Sequence, residues 1–297
     1  MKKCYKILLG LLAVVVLIGC SHGEELEEGV FSEAVEEAAE LEKIAEEVPE
    51  EILDTSEPDT DGMLDSQEVL MEDLEESMIE ELPEQKGYLV VIDAGHQQKG
   101  NSEKEPVGPG AAEMKAKVAG GTTGVATGIP EYQLNLQVAL LLEEILLERG
   151  YEVLMVRSIH EVNISNAERA AVANDAGADA FIRIHANGAA DSGVHGAMTL
   201  CQTPSNPYNG ELYEESRKLS DCVLDAFVEK TGAKKQRVWE TDTMSGINWA
   251  MVPTTIIEMG YMSNPEEDQK MASTEYQKLM AEGMANGIDR YFEDGVE

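Results

Sequence analysis

The stretch EYQLNLQVALLLEEILLERGYEVLMVR, residues 131–157, decides the fold. Over 131–149 the apolar residues recur at helical spacing, which predicts an amphipathic helix. Gly150 follows where a left-handed cap closes a helix. Residues 151–157 then form a short apolar run of strand character. Upstream, YLVVID at 88–93 has the composition of a buried strand. Downstream, Ser165 and Glu168 make a capping box that opens a helix running to Gly177. Further strands are expected at 180–185 (AFIRIH), 196–201 and 254–259 (TTIIEM), with helices over 211–231 and 273–292. Strands alternating with helices predict an α/β sheet with helices on both faces. Residues 97–130 are long, Gly-rich and polar, and are expected to be a loop with a function of its own.

The charge is uneven. The chain carries a formal net charge of −36, and between Glu24 and Gln85 the only basic residue is Lys43. So acidic a chain argues against a nucleic-acid partner, which needs a basic stripe for phosphates. Residues 20–86 have little to bury and are expected to be an acidic tether, extended by like-charge repulsion. Within it, 32–48 and 67–82 have the spacing of transient helices.

The leader starts with Lys2, Lys3 and Lys6, and an apolar run follows from Ile7 to Ile18. That run is short against the roughly 20 residues a membrane span needs. It ends in Leu17-Ile18-Gly19-Cys20, which resembles the bacterial lipoprotein signal. The expectation is a signal peptide over 1–19, lipidation of Cys20, and a membrane anchor that does not span. An uncleaved membrane helix is the competing reading. Cys201 and Cys222 are open to either a disulfide or two buried thiols. The absence of a C-x-x-C pair argues against a thiolate zinc site.

Four ionisable residues fall where sites collect in α/β sheets, at the carboxyl ends of strands. His96 lies past the first strand, Glu131 opens the helix after it, His185 ends the third strand, and Glu258 lies in the late one. Two histidines and a carboxylate form a common zinc shell in hydrolases, and a second carboxylate serves as base. On pattern alone, hydrogen-bonded structural histidines are an equal alternative.

The flanking sequence adds a resemblance. VIDAGH at 91–96, PEYQLNLQVALLLEEILLERGYEVLMVR at 130–157, ADAFIRIHANG at 178–188 and VPTTIIEMGYMSNPEED at 252–268 resemble the zinc-dependent N-acetylmuramoyl-L-alanine amidases of the type-3 family, in order, over roughly 88–292. Arg169 and Asn174 are similar to positions of its next helix. The resemblance implies a single αβα domain over 87–297 with a twisted, mostly parallel sheet. It implies one zinc ion per chain on His96, Glu131 and His185, with Glu258 catalytic. The substrate implied is peptidoglycan, cut between N-acetylmuramic acid and L-alanine. Together with the leader, the expectation is an extracytoplasmic protein, lipid-anchored through Cys20 and monomeric.

This chain departs from the family in having Gln97, Gln98 and Lys99 after the first histidine and a longer gap before Glu131, with Glu113 the alternative ligand. The added loop is expected to gate access. A non-catalytic peptidoglycan-binding lipoprotein and a zinc peptidase are the competing functions. Among other polar residues, His160, His195 and Asn187 are candidates to approach the site. Arg157 and Arg169 are expected in structural pairs, and Trp239 and Trp249 in packing.

Overall fold

The computed structural model describes residues 83–293. The signal peptide, Cys20 and nearly all of the acidic tether lie outside the described residues. Among the described residues no helix is long and apolar enough to cross a membrane.

Strand β1 (Leu89–Ala94) is buried on both faces, as its aliphatic run demands. Its neighbours are β4 (Glu152–Met155) and β5 (Ala180–Asn187), both parallel to it. Beyond β5 come β8 (Thr254–Tyr261), β6 (Ala197–Cys201) and β7 (Lys235–Glu240), giving the order β4-β1-β5-β8-β6-β7. Every pairing is parallel except β6 with β8. The sheet is therefore mostly parallel, as expected.

Alternate residues send the two faces to different helices. Val90, Ile92, Ile182, Ile184, Ile257 and Met259 pack against α1 (Glu131–Glu148), α3 (Tyr213–Thr231) and α6 (Thr274–Glu293). Val91 and Phe181 pack the other way, against α2 (Asn166–Ala176). The short α4 (Ser245–Asn248) sits on that second face, with Ile247 against Ile256, and α5 (Pro265–Met271) links β8 to α6. The Ser165 and Glu168 capping box forms as expected. Gly150 takes φ 81°, and a Cβ there would lie 2.0 Å from the Glu84 carbonyl oxygen, so its small size is needed twice.

Residues 97–130 differ from the expectation. They carry an antiparallel hairpin, β2 (Asn101–Pro106) with β3 (Met114–Val118), apart from the main sheet. The hairpin is pinned rather than loose. Trp249 Nε1 donates to the Pro106 carbonyl at 2.9 Å, Asn248 Nδ2 to Val107 at 3.1 Å, and Asn166 Nδ2 to Lys117 at 2.9 Å.

Candidate functional site

β1, β5 and β8 run parallel, so their carboxyl ends share one edge. Register places His185 beside Glu258. His96 follows the end of β1, and Glu131, the first residue of α1, reaches the same edge from the facing helix. His96 Nε2 and His185 Nδ1 both approach Glu131 Oε1, at 3.1 and 3.2 Å. The three residues offer one ligand atom each, all within 4.8 Å of one another. They line a cleft of about 510 Å³, which Glu258 also lines.

The surroundings orient each group. His96 Nδ1 meets the Ala119 carbonyl at 2.9 Å. Glu131 Oε2 accepts from the Thr122 amide at 2.8 Å, and Oε1 accepts from the Ala186 amide at 3.2 Å and from Asn135 Nδ2 at 3.4 Å. Residues 119–122, after the hairpin, thus form one wall. Gly121 stands close enough that a Cβ would lie 3.1 Å from both Glu131 Oε2 and His96 Cγ. Gly95 is tighter: a Cβ would lie 2.3 Å from His185 Cε1.

Charge is distributed unequally. Burial works against ionising Glu131, but hydrogen bonds from His185 and His96 outweigh it and hold the carboxyl well below its ordinary pKa. Burial likewise opposes charge on His96, yet the bond to Glu131 raises its pKa. Burial prevails at His185, whose pKa is lowered. Glu258 is pushed well above the ordinary carboxylate value by burial and then by the charge of Glu131. Its Oε2 is buried with no hydrogen-bond partner. An orphaned carboxylate oxygen beside a cleft is unusual and costly, which makes it a candidate functional group.

The remaining candidates divide. Glu113 is exposed on the hairpin, away from the cleft, and is no alternative to Glu131. His160 packs edge-on against Tyr132, and His195 lines a different pocket beside Glu267 and Lys270. Asn187 lines the cleft, but its Oδ1 accepts from the Gly188 amide at 2.8 Å, as a turn former does. Trp249 packs beside α2, whereas Trp239 is 37 % exposed on β7. Cys201 and Cys222 are not joined to each other. Arg157 and Arg169 lie beneath the site, not in the cleft. Sequence reasoning gave no role to Asp93, which is fully buried between Arg169 at 2.5 Å and Arg183 at 2.9 Å. An acid inside an aliphatic strand was the available signal. Asn135, one helical turn after Glu131, was another.

Two imidazoles and a carboxylate converging at the carboxyl edge of a parallel sheet, beside a second buried carboxylate, are the donor set of a hydrolytic metal site. Residues 90–290 match the N-acetylmuramoyl-L-alanine amidase family, and the chain belongs to it. Its relatives include the uncharacterized protein YqiI of Bacillus subtilis (strain 168), 30% identical over 208 residues, which are 70% of this chain and 86% of YqiI. The N-acetylmuramoyl-L-alanine amidase CwlM of Bacillus licheniformis is 29% identical over 177 residues, 58% of this chain and 65% of CwlM. Among solved structures, the N-acetylmuramyl-L-alanine amidase Ami1 from Mycobacterium smegmatis shares the fold. Its TM-score is 0.64 at 24% identity, covering 70% of this chain and 98% of Ami1.

Proposed function

We propose that this chain is a zinc-dependent peptidoglycan amidase that hydrolyses the amide between the lactyl group of N-acetylmuramic acid and L-alanine. The convergence of His96, Glu131 and His185 beside the orphaned Glu258 carboxyl carries this reading. His96 through Nε2, His185 through Nδ1 and Glu131 through Oε1 would hold the ion. Zinc would supply Lewis-acid polarisation of the scissile carbonyl and of the attacking water.

The chain's own groups do the rest. The Ala119 carbonyl can only accept, so it takes the hydrogen on His96 Nδ1 and leaves the Nε2 lone pair free for a metal. The Thr122 amide engages Glu131 Oε2 and directs Oε1 inward. Glu258 takes the proton of the attacking water and delivers it to the leaving nitrogen of L-alanine. Burial that raises its pKa also makes it a stronger base than an exposed carboxylate. The cleft is lined by residues 119–122 and 187–190, between which the substrate strand would lie.

The same proposal covers the whole chain. Residues 87–297 form the catalytic domain, 20–86 a tether, and Cys20 a lipid anchor on the outer side of a membrane, facing the wall. Metal analysis tests the centre of the reading. The full chain should hold one zinc ion, and His96→Ala or His185→Ala should lose it. Zinc retained at wild-type stoichiometry in both variants would overturn the assignment.

A further inference from the structure

His96 is the only described residue other than glycine with a positive φ, at 61°. A left-handed backbone at a residue with a Cβ costs about 1–3 kcal/mol and persists only where its surroundings over-determine it. Those surroundings are two buried guanidiniums. Arg169 Nη2 donates to the His96 carbonyl at 2.9 Å, and its Nη1 to the Ala94 carbonyl at 3.2 Å. Arg157 Nε donates to Ala94 at 2.7 Å, and its Nη2 to Gly95 at 3.1 Å. Three successive carbonyls of the turn after β1 are therefore gripped from below. Arg169 is itself held, by Asp93 Oδ1 at 2.5 Å and Gln97 Oε1 at 3.0 Å, and is 1 % exposed.

Attraction for a metal does not explain this arrangement. Arg169 and Arg183 share one carboxylate, Asp93, and Arg157 adds a third positive charge nearby. Surplus positive charge beneath a cation site repels the cation. What Arg169 adds is the geometry of its fork, which satisfies carbonyls at fixed angles as a lysine cannot.

We propose that Arg169 is a positioning residue of the metal centre. It holds the His96 carbonyl, fixes the left-handed turn, and so aims the imidazole at Glu131 and His185. This rests on reading those three residues as the zinc shell.

The test is the zinc Kd of the full chain, measured by competition with a chromophoric chelator well below each variant's Tm. Wild type is measured first, and failure to bind zinc there would count against the shell itself. Given wild-type binding, Arg169→Lys and Arg169→Met should both weaken zinc by about 10–100-fold, the usual effect of losing an outer-shell partner. Arg149→Lys is the control. Arg149 bonds Asp289 at 2.5 Å and Asn286 at 3.0 Å, and its variant should lower Tm while leaving the zinc Kd unchanged. A wild-type Kd in Arg169→Lys, or tighter binding in Arg169→Met, would overturn the proposal. If neither Arg169 variant folds, Gln97→Ala removes the acceptor that steadies Nη2, together with its bonds to the Ile164 amide at 3.1 Å and the Lys99 carbonyl at 3.0 Å, and zinc should still weaken. An unchanged Kd in Gln97→Ala would then refute it.

Discussion

Replacing Glu258 by Gln should make the protein more stable and nearly inactive. Glu258 Oε2 is buried without a partner, and burial and the charge of Glu131 push its carboxyl well above the ordinary pKa. Glutamine keeps the shape and removes the charge. The glutamine amide is no better partnered there, so the gain comes from removing a buried charge beside Glu131, and at alkaline pH it should be on the order of 1–3 kcal/mol. For a domain of this size that is a rise in Tm of about 2–10 °C. The sign also fixes a pH dependence. A carboxyl whose folded pKa exceeds its unfolded value costs stability above that window. The cost falls away as the solution is acidified through the folded pKa. With zinc chelated, wild type should therefore gain stability on mild acidification from alkaline pH, and Glu258→Gln should lack that gain. Loss of the base should lower turnover by about 10²–10⁴-fold. Thermal melts from pH 6 to 9 in chelator, paired with turnover on peptidoglycan fragments in zinc, read both effects. A variant that melts below wild type at alkaline pH would refute the burial argument. A variant with wild-type turnover would refute the catalytic role.

Two further substitutions probe the support of the site. Gly95→Ala drives a Cβ to within 2.3 Å of the His185 ring, so the imidazole must move. Zinc content after dialysis should fall below one per chain. Asp93→Asn leaves Arg169 and Arg183 without their shared anion and should cost about 3–5 kcal/mol in urea unfolding at pH 7. Arg169 and Arg183 outweigh the effect of burial and hold the Asp93 carboxyl well below the ordinary value. Its contribution is therefore complete above the usual carboxylate pKa of about 4 and lost as pH falls below it. The acid limb of the stability profile should flatten in Asp93→Asn.

Much of this was legible in the residues. β1, β5 and β8 announce themselves because strands buried on both faces are rich in aliphatic residues, even where a charged group interrupts them. The capping box of α2 and the glycine after α1 mark helix ends by chemistry that is local. The hairpin and β7 were missed for one reason. Their residues, NSEKEP, MKAKV and KQRVWE, are mostly charged or polar, and they bury little. At the site, His96, Glu131, His185 and Glu258 stood out as ionisable residues near strand ends or a helix start, but the pattern alone left structural histidines an equal alternative, and the resemblance of the flanking sequence is what singled them out. The backbone groups of Ala119 and Thr122 were not, since a carbonyl or amide has no residue type to betray it. The grip of Arg169 on His96 was equally hidden, because it depends on a turn conformation that residue identity does not declare.

The most direct test of function is to digest purified peptidoglycan with the full chain and identify the products by mass, with and without a chelator. Intact stem peptides bearing a free L-alanine amine, released only when zinc is present and lost in Glu258→Ala, are the expected result. Cleavage within the stem peptide, release that persists in chelator, or wall binding with no release at all would contradict it.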